Sequence, residues 1–315
     1  MILGFDIGGT KCAVITANAS ENSIEITAKE AIPTDLKIKP EEMIDRLIVL
    51  ADKICGGKAP ERIGISCGGP LDSKKGIILG PPNLPGWDFV PIADLVKDHY
   101  GAPVNLQNDA NACAVAEWKF GAGKGFDNVI FLTFGTGMGA GLILGGKLYS
   151  GTNDNAGEVG HIRLKNTGPV GYGKPGSFEG FCSGGGIARL GYTLALKKYR
   201  QGKCPAYYKP GMKRGDITAK SIADAAYQGD ETALEVYKIS GENLGRGLAL
   251  LIDILNPQRI IIGSIFVRAK DILWQTAKEV IEKEALGCSA NCCKVVPAKL
   301  GEQIGDYAAI ATALL

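Results

Sequence analysis

The chain has 315 residues, of which 45% are hydrophobic and 22% are charged. This composition is typical of a soluble globular protein, and the length predicts two domains with separate hydrophobic cores. The 35 basic and 33 acidic side chains give a net charge of +2, so charge does not indicate a nucleic-acid or membrane partner.

The N-terminal sequence has no basic n-region and reaches an acid, Asp6, too early for a signal peptide or a membrane span. We therefore expect a cytoplasmic protein, whose nine cysteines are reduced thiols rather than a disulfide framework. The one cluster, Cys288, Cys292 and Cys293, lacks zinc-knuckle spacing, and surface thiols are the preferred interpretation.

One pattern of strand, Gly/Thr turn and strand occurs twice. The first copy contains Asp6-Ile-Gly-Gly-Thr-Lys11, and the second, over 129–144, contains Phe134-Gly-Thr-Gly-Met-Gly139. Glycine permits positive φ and lets backbone N–H groups converge on an anion. The pattern predicts either two ordinary hairpins or two loops that hold a polyphosphate from both sides, with Asp6 near a metal ion.

The other segments alternate between strand and helix patterns. In chain order they predict a helix over 41–54, a strand over 62–67, a breaker-rich loop over 81–87, a strand over 104–107, a helix over 110–120, an irregular glycine-rich segment over 168–186, helices over 218–227 and 231–255, a buried strand over 259–263 and a helix over 303–315. This alternation indicates an α/β protein with its site in a cleft. We expect a smaller lobe over 1–118, to which 303–315 returns, and a larger lobe over 119–302.

Asn108-Asp109 lies between the predicted strand 104–107 and the predicted helix that follows. Open α/β sheets bind ligands at the carboxyl ends of their strands. Asp109 could therefore accept the proton of a substrate hydroxyl that attacks a phosphorus atom. It could equally be the N-cap of the helix, and the local sequence does not decide between these roles.

Glu158-Val-Gly-His161 contains one of two histidines and follows the polar segment 153–155. This cluster, with Glu179 in a later glycine-rich loop, is suited to hydrogen-bonding the hydroxyls of a sugar. A purely structural role for His161 is the alternative.

Four segments together resemble the ROK family (repressor, open reading frame, kinase) of bacterial sugar kinases. They are 6–11, 107–114 (Gln-Asn-Asp-Ala-Asn-Ala-Cys-Ala), 134–141 and 157–161 (Gly-Glu-Val-Gly-His). The resemblance runs in order across nearly the whole chain. It implies the two-lobed, actin-like ATPase fold of the ribonuclease H type, with ATP and a sugar in the interlobe cleft, and a homodimer.

The resemblance also implies roles for individual residues. Asp109 would be the general base, and the sugar contacts would be Asn83, Asn108, Asp109, Glu158, His161 and Glu179. The nucleotide-binding residues would be Asp6, Gly8, Gly9, Thr10, Lys11, Gly135, Thr136, Gly137 and Gly263. Asp6 would hold Mg²⁺ through water.

The chain departs from the family pattern at two places. Many members bind a structural zinc ion through the histidine and three cysteines, but the matching positions here are Val170, Tyr172 and Ser177, none of which is a normal zinc ligand. We therefore predict no structural zinc. Gly263 is followed by Ser264, where the family has a second glycine near the adenosine, and we expect this small side chain to leave nucleotide binding intact.

The expected function is ATP-dependent phosphorylation of a hexose at C6. Glucose is the first candidate, favoured by the resemblance of the 82–87 loop, followed by N-acetylated amino sugars, fructose and β-glucosides. A sugar-responsive transcriptional regulator is one alternative, but such regulators carry an N-terminal helix-turn-helix domain and this sequence starts on its first strand. The other is a non-catalytic sugar sensor, which would have lost the base or a phosphate loop. Whether polyphosphate replaces ATP is left open.

Overall fold

The computed structural model describes residues 1–19 and 23–315 as a mixed α/β chain. Its strands are β1 (Ile2–Ile7), β2 (Lys11–Ala19), β3 (Ile24–Pro33), β4 (Arg62–Cys67), β5 (Leu71–Asp72), β6 (Ile77–Ile78), β7 (Val104–Asn108), β8 (Val129–Phe134), β9 (Met138–Leu144), β10 (Lys147–Leu148), β11 (Val170–Gly171), β12 (Lys174–Pro175), β13 (Arg259–Ile262) and β14 (Lys294–Pro297).

Its α-helices are α1 (Pro40–Cys55), α2 (Ile92–Tyr100), α3 (Asp109–Phe120), α4 (Phe178–Phe181), α5 (Gly184–Arg200), α6 (Ala219–Tyr227), α7 (Glu231–Leu255), α8 (Ile265–Glu284), α9 (Gly287–Cys292) and α10 (Ile304–Thr312). Short 3-10 helices lie at Val159–His161, Arg214–Asp216 and Gly301–Gln303. Within the described ranges, no helix combines the length and the apolar character needed to cross a membrane.

The chain divides into two compact units. The first unit comprises Met1–Phe131, Gly141–Gly157 and Lys299–Leu315, and the second comprises Leu132–Ala140 and Glu158–Ala298. The last helix, α10, therefore belongs to the same unit as the N-terminal strands.

The first unit contains a five-stranded sheet of order β3-β2-β1-β4-β7. Strands β1, β4 and β7 are parallel, whereas β2 is antiparallel to both β1 and β3. The register pairs Asp6 with Ser66, and Cys67 with Asn108. The carboxyl ends of the three parallel strands therefore meet at one edge of the sheet, where α/β proteins bind ligands.

One face of this sheet packs against α1. Side chains alternate along a strand, and Leu3, Phe5 and Ile7 of β1 enter a hydrophobic core with Met43 and Leu47 of α1. Helix α1 forms because its apolar residues recur every three or four positions, with a proline in its first turn and a left-handed glycine after its last residue.

The opposite face packs closely against α10. A Cβ at Gly4 would lie 3.0 Å from the Cβ of Ala309, and a Cβ at Gly64 would overlap the Ala309 carbonyl oxygen. The helix therefore rests on strand backbone. Asp6 lies on the same face as Gly4, next to the N-terminus of α10, because a Cβ at Gly305 would be 3.1 Å from Asp6 Oδ2.

A second five-stranded sheet has the order β10-β9-β8-β13-β14. In the second unit, α7 packs against α8 through glycines, because a Cβ at Gly241 would lie 2.7 Å from the carbonyl oxygen of Leu273 and a Cβ at Gly245 would lie 2.5 Å from that of Ala277. Helices α5 and α6 contact the same α7. Helices α5, α6 and α8 of this unit therefore all pack against the long helix α7.

Most predicted elements are confirmed. Both hairpins are present, as β1–β2 and β8–β9, and the five predicted helices correspond to α1, α3, α6, α7 and α10. The prediction of an irregular segment over 168–186 is wrong in part, because it contains α4 and the start of α5. Helix α5 opens with three glycines, which are poor helix formers, but Ser183 caps it by accepting the N–H of Gly186 at 3.0 Å.

Gly64→Ala is expected to destabilise the protein by about 3 kcal/mol, because the new methyl group would push α10 away from the sheet. Urea unfolding measures the loss. Gly287→Ala is the matched control, since Gly287 is exposed, begins α9 and has open space around its Cα; this variant should stay within about 0.5 kcal/mol of wild type. Equal stabilities for the two variants would contradict the packing described for α10.

Candidate functional site

The first predicted phosphate loop is the turn between β1 and β2. Gly8, Gly9 and Thr10 connect the strands, and Lys11 begins β2 with an exposed side chain. A Cβ at Gly9 would overlap the carbonyl oxygen of Asn83 and lie 2.8 Å from its Cβ. Glycine at this position therefore lets the loop approach Asn83, one of the predicted sugar contacts.

Asn83 lies in a loop without regular structure, as the sequence predicts. The neighbouring Leu84 and Trp87 are buried in the core of the first unit, at 0% and 2% exposure. The backbone N–H of Leu84 donates to the carbonyl of Pro81, and that of Trp87 donates to the carbonyl of Leu84. The loop that contains the exposed Asn83 is therefore fixed in place by the buried side chains of Leu84 and Trp87.

The structure tests one of the two roles considered for Asp109, that of the helix N-cap. Asn108, not Asp109, is the N-cap of α3, and its Oδ1 accepts the N–H of Ala110 at 2.9 Å. Asp109 is the first residue of the helix and is exposed, with Oδ1 accepting the same N–H at 2.8 Å. The N-cap interpretation of Asp109 is therefore wrong, because its neighbour already fills that position.

Two glycines after β4 leave room for the side chains of Asn83 and Asn108. A Cβ at Gly68 would lie 3.4 Å from Asn83 Oδ1, and a Cβ at Gly69 would lie 2.9 Å from Asn108 Nδ2. The carboxyl edge of the first sheet thus carries Asn83, Asn108 and the adjacent Asp109.

The far end of α3 is fixed by a buried acid. The carboxylate of Glu117 is fully buried and accepts the backbone N–H groups of Ala122 at 2.7 Å and of Lys299 and Leu300 at 2.8 Å. A buried charge without such bonds would be strongly unfavourable. Helix α3, which begins with Asp109, is therefore held at its cap and near its last turn.

Asp6 is surrounded by other acids of the first unit. Burial, then the negative charges of Asp306 and Asp109, raise the pKa of Asp6 to about 6, while Lys29 and Lys11 act in the opposite direction. The crowding follows from the fold, because β1 and the N-terminus of α10 converge here.

In the second unit, Glu179 packs against the second predicted phosphate loop, Gly135 to Gly137. Glu179 Oε2 accepts the backbone N–H of Met138 at 3.1 Å, and a Cβ at Gly137 would lie 2.9 Å from the same oxygen. The 3-10 helix Val159–His161 is also close, because a Cβ at Gly160 would lie 3.3 Å from the Cβ of Glu179. Glu158, at the N-cap of this 3-10 helix, is exposed.

The segment that lacks the family cysteines is held by protein contacts. The rings of His161 and Tyr172 meet edge to face with centroids 5.2 Å apart, and Lys174 Nζ donates to the His161 carbonyl at 2.8 Å. Ser177 caps α4 by accepting the N–H of Gly180 at 3.1 Å, while Val170 pairs with Pro175 across β11 and β12. No group of three or more His, Cys, Asp or Glu side chains suited to a metal ion occurs within residues 1–19 and 23–315.

A pocket of about 640 Å³ lies in the second unit. Its wall includes Gly135 and Thr136 of the second loop and the N-termini of three helices: α5 (Gly184, Gly185), α6 (Thr218, Ala219) and α8 (Ser264, Ile265). Helix N-termini present N–H groups and positive dipole ends that favour anions. The rest of the wall is formed by apolar and aromatic side chains, Ala188, Ile217, Ala223, Tyr227, Tyr237 and Ala269, and by the charged side chains of Lys220, Asp224 and Arg268.

The sequence predicted the glycine loop of this pocket and the helix over 218–227, and the family resemblance placed Gly263 and Ser264 near the nucleotide. Gly263 is buried, with its N–H bonded to the carbonyl of Leu132 at 3.0 Å, and Ser264 lines the pocket instead. Helices α5 and α8 were not predicted. The serine before each helix was the available signal, since Ser183 and Ser264 occupy N-cap positions.

The structure is similar to that of a ROK family glucokinase from Streptomyces griseus in complex with glucose and AMPPNP, with a TM-score of 0.78, 30% identity and 99% coverage of both chains. It is also similar to a ROK hexokinase from Thermus thermophilus, with a TM-score of 0.79, 27% identity and coverage of 99% of this chain and 97% of that chain. These similarities confirm the predicted actin-like ATPase fold.

Residues 2–314 match the ROK family. The sequence is 32% identical to the glucokinase of Thermotoga maritima, over 96% of this chain and 94% of that protein. It is also 30% identical to the xylose repressor of Caldicellulosiruptor bescii, over 96% of this chain and 75% of the repressor. The chain belongs to the ROK family.

Asp6→Asn is expected to raise the free energy of unfolding of the ligand-free protein at pH 7.5 by about 2 kcal/mol. The pKa of Asp6 rises from 3.8 to about 6 on folding. The folded protein therefore keeps the proton of Asp6 up to a higher pH than the unfolded chain, and the free energy of unfolding falls as the pH rises from about 4 to 6. The gain should vanish below pH 4, where both states are protonated. Urea unfolding at several pH values checks this, and a gain that is the same at pH 3.5 and pH 7.5 would contradict it.

The purified protein is expected to contain no stoichiometric zinc, and EDTA should leave its melting temperature unchanged, because the segment around His161 is held by side-chain and backbone contacts. Elemental analysis by mass spectrometry and thermal unfolding with and without chelator make the test. One zinc ion per chain, or a lower melting temperature after chelation, would show that the prediction is wrong.

Proposed function

We propose that this protein is an ATP-dependent hexokinase that transfers the γ-phosphoryl group of ATP to the C6 hydroxyl of a hexose, with glucose as the first candidate. The glucokinase of T. maritima matches over nearly its full length, and the S. griseus relative is similar over the whole chain. The observation that carries the proposal is the position of Asp109, an exposed carboxylate at the carboxyl edge of the first sheet beside two asparagine side chains.

Asp109 acts as the general base. Its carboxylate accepts the proton of the sugar hydroxyl as the hydroxyl oxygen attacks the γ-phosphorus. Because Asn108 caps α3, the helix does not depend on Asp109 for its cap. Asn83, which lies next to Gly68, and Asn108, which lies next to Gly69, hydrogen-bond the sugar and hold the attacking hydroxyl near the base.

The second unit supplies the other sugar contacts. Glu158, His161 and Glu179 have acceptor and donor groups that match sugar hydroxyls. Glu179 also accepts the N–H of Met138, which couples its position to the second phosphate loop. Since no metal ligands surround His161 in this proposal, its imidazole is available to the sugar.

ATP occupies the 640 Å³ pocket of the second unit. Its apolar walls receive the adenosine, and the Gly135 to Gly137 loop with the neighbouring helix N-termini receives phosphates. Gly8 to Lys11 forms the second phosphate contact, to which Lys11 adds a positive charge.

Asp6 holds Mg²⁺ through water. Carboxylate oxygen is the ligand type that Mg²⁺ prefers. Burial, and then the negative charges of Asp306 and Asp109, raise the pKa of Asp6, and a cation beside it would favour the ionised form. When bound, the ion offsets the charge of the phosphates.

The enzyme is favoured over the two alternatives. Repressors occur among the relatives, but the C. bescii repressor is 30% identical to this chain and the T. maritima glucokinase is 32% identical. A non-catalytic sensor would have lost the base or a phosphate loop, and both loops and Asp109 are retained. A cytoplasmic location and a homodimer stay predictions, which cell fractionation and analytical ultracentrifugation test.

Asp109→Asn is expected to lower kcat by a factor of about 10² to 10⁴, because asparagine cannot accept the proton. A coupled assay of ADP release with ATP, Mg²⁺ and a panel of sugars measures turnover, with glucose, N-acetylated amino sugars, fructose and a β-glucoside in the panel. Asp98→Asn, which changes another exposed acid on α2, should keep wild-type activity.

Unchanged kcat in Asp109→Asn would refute the assignment of the base. Sugar binding by calorimetry without ADP release on any member of the panel would instead favour the sensor. Tight binding to operator DNA without turnover would favour the regulator.

A further inference from the structure

Tyr172 occupies a position that local structure does not favour for tyrosine. It forms the turn between β11 and β12 together with Gly173, and the two residues have φ +40° and +78°. A hairpin turn with two positive φ values favours asparagine or glycine, and a bulky residue is strained there. Tyr172 is also 67% exposed. Neither the turn nor the hydrophobic core therefore accounts for a tyrosine at this position.

The specific contact of the Tyr172 side chain is with His161. The two rings meet edge to face, with centroids 5.2 Å apart and planes at 80°, a favourable geometry for an aromatic pair. The Tyr172 hydroxyl makes no hydrogen bond within the part of the chain that the structure describes. The ring, and not the hydroxyl, is thus the part of this side chain that interacts with the protein.

The hairpin that presents Tyr172 is fixed on both of its strands. Arg189 Nη1 donates to the carbonyl of Val170 on β11 at 2.6 Å. Lys174 Nζ on β12 donates to the carbonyl of His161 at 2.8 Å. These bonds hold the turn, and with it the tyrosine ring, against the segment that contains the histidine.

The imidazole of His161 is oriented by packing. The backbone of this residue is fixed, because its N–H donates to the carbonyl of Glu158 at 3.2 Å. Within residues 1–19 and 23–315, however, neither nitrogen of its ring has a hydrogen-bond partner. Such a bond commonly sets the direction of a histidine ring. Here the contact with Tyr172 restricts the ring and leaves both nitrogens available to donate or accept.

This arrangement differs from the one that the family pattern implies. Position 172 is one of three at which many ROK sequences have a zinc-binding cysteine, and the tyrosine is not a normal zinc ligand. A metal ion occupies one nitrogen of the histidine that it binds. An aromatic ring packed on the same imidazole occupies neither nitrogen.

We propose that Tyr172 is a positioning residue for sugar binding, whose ring holds the His161 imidazole in the orientation that hydrogen-bonds a sugar hydroxyl. This inference rests on the proposed function, because it requires a sugar beside His161. An imidazole that is already oriented loses less conformational freedom when the sugar binds, and the affinity for the sugar is higher for that reason. The strained turn agrees with this role, since backbone strain is concentrated at functional sites.

Three substitutions separate the ring of Tyr172 from its hydroxyl and from the strain. Tyr172→Phe removes the hydroxyl and keeps the ring. Tyr172→Leu removes the ring and keeps a side chain at positive φ, whereas Tyr172→Gly removes both the ring and the strain. Tyr199→Leu is the matched control, because Tyr199 is an exposed tyrosine of the same unit and its ring contacts that of Tyr208, with centroids 5.8 Å apart.

NMR of the histidine ring protons measures the contact directly, because the chain has two histidines. His99, which contacts Tyr100 in the first unit, is the internal reference, and His99→Gln assigns the two signals. The His161 signal should shift in Tyr172→Leu and Tyr172→Gly, which lack the neighbouring ring, and should keep its position in Tyr172→Phe and Tyr199→Leu. The His99 signal should not move in any of these variants.

Calorimetry and steady-state kinetics measure sugar binding, with the sugar of the panel that is turned over. Tyr172→Leu and Tyr172→Gly should bind it about tenfold more weakly than wild type, since the ordering of one side chain is then a cost of binding. The KM for sugar should rise by the same factor, while kcat and the KM for ATP change less. Tyr172→Phe and Tyr199→Leu should keep wild-type affinity.

Thermal unfolding without ligand separates this role from a purely structural one. Tyr172→Gly should melt at a higher temperature than Tyr172→Leu, because glycine relieves the strain, although both variants bind the sugar equally weakly. Sugar affinity that instead follows the melting temperature would contradict the proposal.

Wild-type sugar affinity in Tyr172→Leu and Tyr172→Gly would refute the positioning role while the kinase proposal stands. Weaker sugar binding by Tyr172→Phe would also overturn it, because the hydroxyl would then be responsible. A His161 signal that stays in place when the ring is removed would show that the contact does not orient the imidazole. If wild type binds no sugar of the panel, the proposed function fails and this inference fails with it.

Discussion

The close approach of α10 to the strand backbones at Gly4 and Gly64 is the constraint on which the arrangement of the first unit depends. Side chains alternate along β1, so the face that has only hydrogen at Gly4 also carries Asp6. The helix can rest on this face only because no Cβ intervenes, and its N-terminus then lies beside Asp6. The same contact brings Asp306 near Asp6, where Lys29 forms an ion pair with Asp306 at 2.5 Å. The packing of α10 on the sheet therefore also determines which charged groups surround Asp6.

Glycine serves a similar purpose throughout the candidate site. Gly9 admits Asn83, Gly69 admits Asn108, and Gly137 admits the carboxylate of Glu179. In each pair the missing side chain lets a polar group approach a loop whose N–H groups can face an anion. The candidate site residues of each unit are thus placed by the same means, since a glycine stands where a side chain would block the approach of a polar group.

The sequence predicted the elements with strong local signals and missed those that depend on tertiary contacts. Helix α1 has a clear apolar period and a proline at its start, whereas α5 begins with glycines and forms because Ser183 caps it and α7 packs on it. The N-cap of α3 could not be identified from the local sequence, since Asn108 and Asp109 are both good N-cap residues, and the backbone conformation and hydrogen bonds of the folded chain assign it to Asn108. The wall of the pocket could not be predicted from the sequence, because α5, α6 and α8 are distant in the chain and come together only in the folded protein.

The central claim is that this ROK-family protein transfers a phosphoryl group from ATP to a sugar hydroxyl. The most direct measurement is phosphorus NMR of the wild-type protein incubated with ATP, Mg²⁺ and glucose. The account predicts that the signal of the γ-phosphate is replaced by that of a phosphate monoester coupled to the C6 protons of glucose, together with the signals of ADP. Free phosphate and ADP without a sugar ester, or unchanged ATP in the presence of each sugar of the panel, would contradict it.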